Sequence, residues 1–144
     1  MINWINSQNN RFACLVCHDG IFNTVGAYYT TEGKLTLTKE LWFPESEFLG
    51  TPEQQPYDQW NPMRYAKQMK TPTLVIHSEK DYRLTMNEGI GAFTALQRQG
   101  VPSKLLYFPD ENHWILRPAN WIQWQREILV WMDEWTKPGH TDRA

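Results

Sequence analysis

Three short apolar runs constrain this chain more than anything else in it: "FACLVCH" (12–18), "TLVIH" (73–77) and "KLLYF" (104–108). Short runs rich in β-branched, aromatic and other apolar side chains, bounded by turn formers, read as buried strands. The second and third are entered through Pro72 and Pro102, a residue that suits the start of a strand and not its middle. Between them runs "TMNEGIGAFTALQRQG", with Ile90, Phe93 and Leu96 at helical spacing. Gly100 follows where a helix C-cap is expected. Strand, helix and strand in that order predict βα units on a parallel sheet, an α/β fold with flanking helices. The stretch "ANWIQWQREILVWMDEWTK" predicts an amphipathic helix, with Trp121, Trp124, Ile128, Trp131 and Trp135 on one stripe and Asn120 as N-cap. That stripe reads as core rather than as a ligand site.

The 144 residues suffice for one domain with a core, and a chain of this size buries about 68–70% of its unfolded surface. The segment 26–61 mixes aromatics, acids, Thr and Pro without a clean period. It is too aromatic for disorder and reads as an excursion with one or two short helices. Residues 138–144, "PGHTDRA", read as a flexible tail. A net charge of −2 gives no electrostatic case for nucleic acid or an anionic membrane. No apolar run is long enough to span a bilayer. The start, "MINWINSQNNR", lacks the basic and apolar segments of a signal peptide. Cys14 and Cys17 have a C-x-x-C spacing, but there is no second pair to complete a zinc site. Placed on a strand, their side chains point to opposite faces. They read as small buried apolar residues.

In a parallel open sheet, sites lie at the carboxyl ends of the strands. The second strand leads into "HSEKDYRL", with Asp81 at its turn, and the third into "PDENHW", with His113 at its turn. The topology therefore brings an acid and a histidine to the same edge. A buried carboxylate there would accept from the ring N–H of His113, fix its tautomer and stabilise the imidazolium. The bland alternatives are a structural histidine and a turn carboxylate capping a helix near Thr85. Asp110 and Glu111 are too near His113 along the chain to serve as its partner, and read as solvated turn charges. Arg83 reads as an anchor of the acid loop. His18 and His77 read as strand-end residues, and His140 lies in the tail. His18, Asp19, His77 and His113 have no recognisable metal spacing.

The order Asp then His is that of α/β-hydrolases, where a nucleophile Ser precedes both. None of Ser7, Ser46, Ser78 and Ser103 lies in G-x-S-x-G. "WNP", "TPTLVIHSEKDYRL", "EGIGAFTALQRQGVPSKLLYFPDENHWI" and the Trp-rich helix resemble the carboxyl-terminal part of the catalytic domain of the prolyl oligopeptidase family of serine peptidases. Within it they are similar to the branch of dipeptidyl peptidase V and the acylaminoacyl-peptidase-like enzymes. The resemblance runs from Met1 to about Trp135 and implies residues 1–137 of an incomplete α/β-hydrolase domain. It implies Asp81 as triad acid and His113 as general base, in an acyl-enzyme mechanism that releases short N-terminal units from peptides. "MINW" resembles the family's sequence just past the nucleophile, so the Ser, the oxyanion hole and a β-propeller are expected upstream, and the isolated chain is expected to be inactive. Phe22 and Val25, in "HDGIFNTVGAYY", correspond to substrate-pocket positions. No cofactor and no metal is implied, and relatives in the family are often secreted or periplasmic. Two other readings stand beside this one: a non-catalytic chain that binds or assembles with a partner over an open sheet edge, and an esterase of the same fold.

Overall fold

The computed structural model describes residues 1–31 and 54–137. The expected tail at 138–144 and most of the excursion, including Ser46, lie outside them. The described elements are α1 (Ile2–Gln8), β1 (Leu15–His18), α2 (Thr24–Thr30), α3 (Gln54–Gln59), a 3-10 helix (Pro62–Gln68), β2 (Thr73–Ser78), α4 (Met86–Arg98), β3 (Ser103–Phe108) and α5 (Pro118–Thr136). No described helix is long and apolar enough to cross a membrane.

The strands form one parallel sheet in the order β1-β2-β3. Leu15 stands opposite Thr73, and Thr73 opposite Ser103, so all three strands start in step. They therefore end at one edge, where β1 hands over to Asp19, β2 to the Asp81 turn and β3 to the His113 turn. The first strand is shorter than its apolar run. Phe12 is 39% exposed and precedes it, because β2 offers β1 partners only from Thr73 onward.

β2 is buried along its whole length, as expected of a parallel strand covered on both faces. Val75 packs with Phe22, Met69, Ala92, Leu96 and Val101 on the α4 side. Leu74 and Ile76 pack with Leu106, Phe108 and Trp131 on the α5 side. Alternation along one strand thus feeds two cores. Cys17 is buried and Cys14 half-buried, both as free thiols. Cys14 packs into the α5-side core, while the Cys17 thiol lies 3.5 Å from Asn3 Oδ1.

α4 approaches the sheet closely because Gly89 has no side chain. A Cβ there would lie 2.7 Å from Cβ, Cγ and Nδ1 of His77. The buried stripe of α4 is Glu88, Gly89, Ala92 and Leu96, which rotates Ile90 outward to 40% exposure. Gly100 follows the helix with φ of +70°, the left-handed stop expected there.

α5 buries Trp131 and packs Trp124, Ile128 and Trp135 against the sheet. Trp121, placed on that stripe by the sequence, is 49% exposed. Asn120 is not the N-cap. Arg117 takes that position, and Asn120 sits in the first turn, donating to Asp110 and Glu111. The opposite flank of α5 leaves Ile122, Leu129, Val130 and Met132 exposed.

α1 has no apolar period to announce it. It is held by buried asparagines instead. Asn6 Oδ1 accepts from the backbone of Lys70 and Thr71, and its Nδ2 donates to Thr71 O and Thr73 Oγ1.

Candidate active site

Two turns at the carboxyl edge build the site, and backbone hydrogen bonds tie them together. Glu79 N–H donates to Phe108 O at 2.9 Å, and Lys80 N–H to Glu111 O at 3.1 Å. The acid turn and the histidine turn are therefore one unit. Asp81 lies in it with its side chain fully enclosed. Its Oδ1 accepts from Arg83 N at 3.0 Å and Leu84 N at 2.9 Å. Its Oδ2 lies 2.8 Å from His113 Nδ1. Asp81 is thus held in its turn through one oxygen and faces the His113 ring through the other, and it does not cap α4, whose N-cap is Thr85. With Nδ1 as donor, Nε2 of His113 is left as the basic nitrogen of a ring 26% exposed.

The His113 turn owes its shape to Glu111. Sequence spacing suggests a solvated charge, yet Glu111 is 3% exposed. It accepts from Leu116 N and Arg117 N at 3.0 Å each and from Asn120 Nδ2 at 2.7 Å. Burial alone would raise its pKa, but these bonds and the Arg117 charge hold it below the usual value. Asp110 pairs with Arg117 and not with His113. Arg83 anchors the acid loop through its backbone, while its guanidinium lies over the Trp114 ring at 5.6 Å.

A second carboxyl, which sequence reasoning considered only within a set lacking any recognisable metal spacing, stands beside this pair. Asp19 follows β1 and is 9% exposed. Its Oδ2 is 3.6 Å from His113 Nδ1 and 3.1 Å from His18 Nε2. Its Oδ1 is 3.9 Å from His77 Nδ1, and neither of those two atoms has a hydrogen-bond partner. Burial first, then the charge of Asp81 and a hydrogen bond with it, push the Asp19 carboxyl up to about 8. His18 is pushed down to about 4, by burial and then by the neighbouring His113 and His77. Burial also lowers His77, whose Nε2 lies 2.6 Å from Leu84 O. The signal for Asp19 was available: "HD" ends a strand just as Asp81 and His113 follow theirs. His18 and His77 are strand-end residues, as expected.

Asp19, His77 and Asp81 offer oxygen and nitrogen atoms within 4.8 Å of one another. Both oxygens of Asp81 and Nε2 of His77 are already engaged. A cation there would have to displace His113 from Asp81, so the set fits a carboxyl–histidine cluster better than a metal centre.

On the α4 side of the edge, Glu88 Oε2 accepts from Phe22 N and Asn23 N at 2.7 Å each and fixes the chain after β1. Phe22 is turned into the core at 5% exposure, and Val25 is half-buried on α2. A small apolar pocket nearby is lined by Met1, Trp4, Ile21, Thr24, Trp60 and Pro62. Neither Phe22 nor Val25 lines it.

Comparison with known proteins bears on this arrangement. A profile described as "Prolyl oligopeptidase family" matches residues 1–139. The chain is 48% identical over 141 residues to "Dipeptidyl-peptidase 5" of Schizosaccharomyces pombe, covering 95% of this chain and 20% of that protein. It is 42% identical over 142 residues to "Dipeptidyl-peptidase 5" of Aspergillus fumigatus, covering 94% and 19%. Among solved structures, the uncomplexed acylaminoacyl peptidase of Pyrococcus horikoshii superposes with a TM-score of 0.82 at 22% identity, over 95% of this chain and 23% of that one. That likeness shows the fold: the parallel sheet and its helices are part of an α/β-hydrolase domain. The chain spans about a fifth of the length of these curated relatives.

Proposed function

The chain belongs to the prolyl oligopeptidase family, and from that premise we propose that it supplies the acid and the base of a Ser-Asp-His triad in a serine peptidase of dipeptidyl- or acylaminoacyl-peptidase type. The single observation that carries the reading is the 2.8 Å contact between buried Asp81 Oδ2 and His113 Nδ1. In this reading a serine hydroxyl attacks the carbonyl of the scissile bond. His113 Nε2 takes its proton and later passes it to the leaving amine, so proton bookkeeping closes on one residue. Asp81 holds the ring in the right tautomer and stabilises the imidazolium. Asp81 stays oriented throughout because its other oxygen is held by two backbone N–H groups.

The nucleophile, the oxyanion hole and any propeller come from sequence outside these residues, since no serine here lies in an elbow motif. Peptides are the proposed substrates. Val25, half-buried on α2, and Phe22 are proposed to shape the pocket for the residue before the scissile bond.

The test compares the 144-residue chain with a version extended upstream through a G-x-S-x-G elbow and the propeller. Both are treated with a fluorophosphonate probe and assayed on dipeptidyl-coumarin substrates. The expected result is labelling and turnover only in the extended form, with turnover reduced by roughly four orders of magnitude by Asp81→Asn and by about six by His113→Ala. Labelling of the short chain, or an extended form indifferent to both substitutions, would sink the reading.

A further inference from the structure

The cluster at the carboxyl edge holds one more carboxyl than a triad needs. Asp19 is buried, and one of its oxygens has no donor. The other lies 3.6 Å from the same His113 nitrogen that Asp81 contacts at 2.8 Å. Asp19 is also the one non-glycine residue with positive φ among those described, at +48°. Such a conformation is uncommon even for Asp and persists where the surroundings hold it. What holds it is the end of β1: Asp19 N–H donates to Ile76 O at 3.1 Å, which keeps the residue on the sheet edge. The side chain is thereby aimed into the space between His18, His77, Asp81 and His113.

Two ionised carboxylates cannot share so enclosed a site without a compensating charge. Burial disfavours the charged forms of His18 and His77, and His113, 2.8 Å from Asp81, can offset one negative charge at most. The proton must then sit on one of the carboxyls. Asp81 receives three hydrogen-bond contacts suited to its anion, counting both oxygens. Asp19 Oδ1 receives none, and its Oδ2 has only His18 Nε2 at 3.1 Å and His113 Nδ1 at 3.6 Å beside it.

Building on the triad reading above, we propose that Asp19 is a positioning residue, whose protonated Oδ2 donates to Asp81 so that the two carboxyls present one negative charge to His113 rather than two. The donated hydrogen bond makes Asp81 a weaker base. The proton on His113 Nδ1 therefore stays on the ring, and Nε2 remains the nitrogen that exchanges a proton with the substrate. When Asp19 ionises, a second negative charge appears beside the ring and holds the imidazolium form, which no longer gives up its proton readily to a leaving amine. The upward shift of Asp19 to about 8 agrees with this and sets where the loss occurs. Cys17 and the three histidines are the other titratable groups facing Asp19.

The experiment is an NMR titration of the 144-residue chain, following the Asp19 carboxyl carbon and the two ring nitrogens of His113. The expected result is an Asp19 step near pH 8, accompanied by a step in His113 Nδ1. Asp19→Asn keeps a permanent donor and tolerates positive φ, so it holds the His113 signal at its low-pH position and abolishes the step. Asp19→Gly also suits that φ but has no donor, and moves the His113 signal below pH 7 as well. An Asp19 step in the ordinary range, below about 5, overturns the inference. So do His113 nitrogens that are the same in wild type, Asn and Gly forms. Asp81→Asn separates the two levels: if it leaves His113 unmoved, the triad reading fails, and if it moves His113 while the Asp19 variants do not, only the role of Asp19 fails. The wild-type titration alone is decisive, so a variant that folds badly does not block the answer.

Discussion

Asp81 divides its oxygens between a turn and a ring, and that division explains why the sequence could reveal it. A carboxyl after a strand and a histidine after the next are recognisable by chain order alone. Asp19 and Glu111 have no such order, because their roles depend on what surrounds them after folding. Asp19 yields a prediction whose sign can be worked out. Its pKa rises from 3.8 unfolded to about 8 folded, so the stability it lends is complete below about 4 and is lost as pH rises through 8. His18, lowered from 6.5 to about 4, contributes in the opposite sense, its stability being complete above 6.5 and lost as pH falls toward 4. The two oppose one another up to about 6.5 and Asp19 acts alone beyond it. Urea denaturation should therefore show stability falling between pH 6.5 and 8, with a slope of at most about 1.4 kcal/mol per pH unit, and Asp19→Asn should flatten it. A wild-type profile that rises over that interval would contradict the assignment.

Elements were legible where a period was present. β2 and β3 came out within a residue of their apolar runs: β2 is buried on both faces and needs an unbroken run, while β3 buries Leu106 and Phe108 and leaves Lys104 and Tyr107 exposed. α4 was legible in extent but not in orientation. Ile90 promised a buried face by its size, whereas the helix turned Gly89 inward because only a residue without a side chain lets it settle on His77. α1 was invisible, for its attachment is polar: Asn6 satisfies backbone groups of Lys70 and Thr71 that hydrophobic patterning does not register. Two measurements follow for these elements. Gly89→Ala places a methyl 2.7 Å from three atoms of the buried His77 ring and its stem. It should destabilise the chain by roughly 1–3 kcal/mol and disturb the His77 resonances before those of the α5 face. Glu111→Ala removes the acceptor for two backbone amides and one side chain, and should cost about 2–3 kcal/mol, with hydrogen exchange rising first at Leu116 and Arg117. Unchanged protection at those amides would mean that the first turn of α5 is held by something else.

At the scale of the whole molecule, the described residues leave two surfaces uncovered. β1 has no strand on its outer side among them, and α5 exposes Ile122, Leu129, Val130 and Met132 together. An unpaired strand edge and apolar side chains exposed on the outer side of a helix favour association. Sedimentation of the isolated chain should show concentration-dependent self-association, and Leu129→Lys with Val130→Glu should reduce it without lowering the denaturation midpoint. A monomer at high concentration would show that both surfaces are harmless. The open sheet edge was expected from the sequence, whereas the exposure on α5 was not, because the stripe of five apolar residues there says which side faces the sheet and nothing about the other. The Asp81 and His113 turns, by contrast, are stitched to each other by the backbone bonds of Glu79 to Phe108 and of Lys80 to Glu111. On the reading proposed above, that makes the enzyme divisible. A cut anywhere ahead of β1 parts the nucleophile from its relay but leaves the relay whole, which is the behaviour wanted of a split reporter, silent as two polypeptides and lit only when they meet.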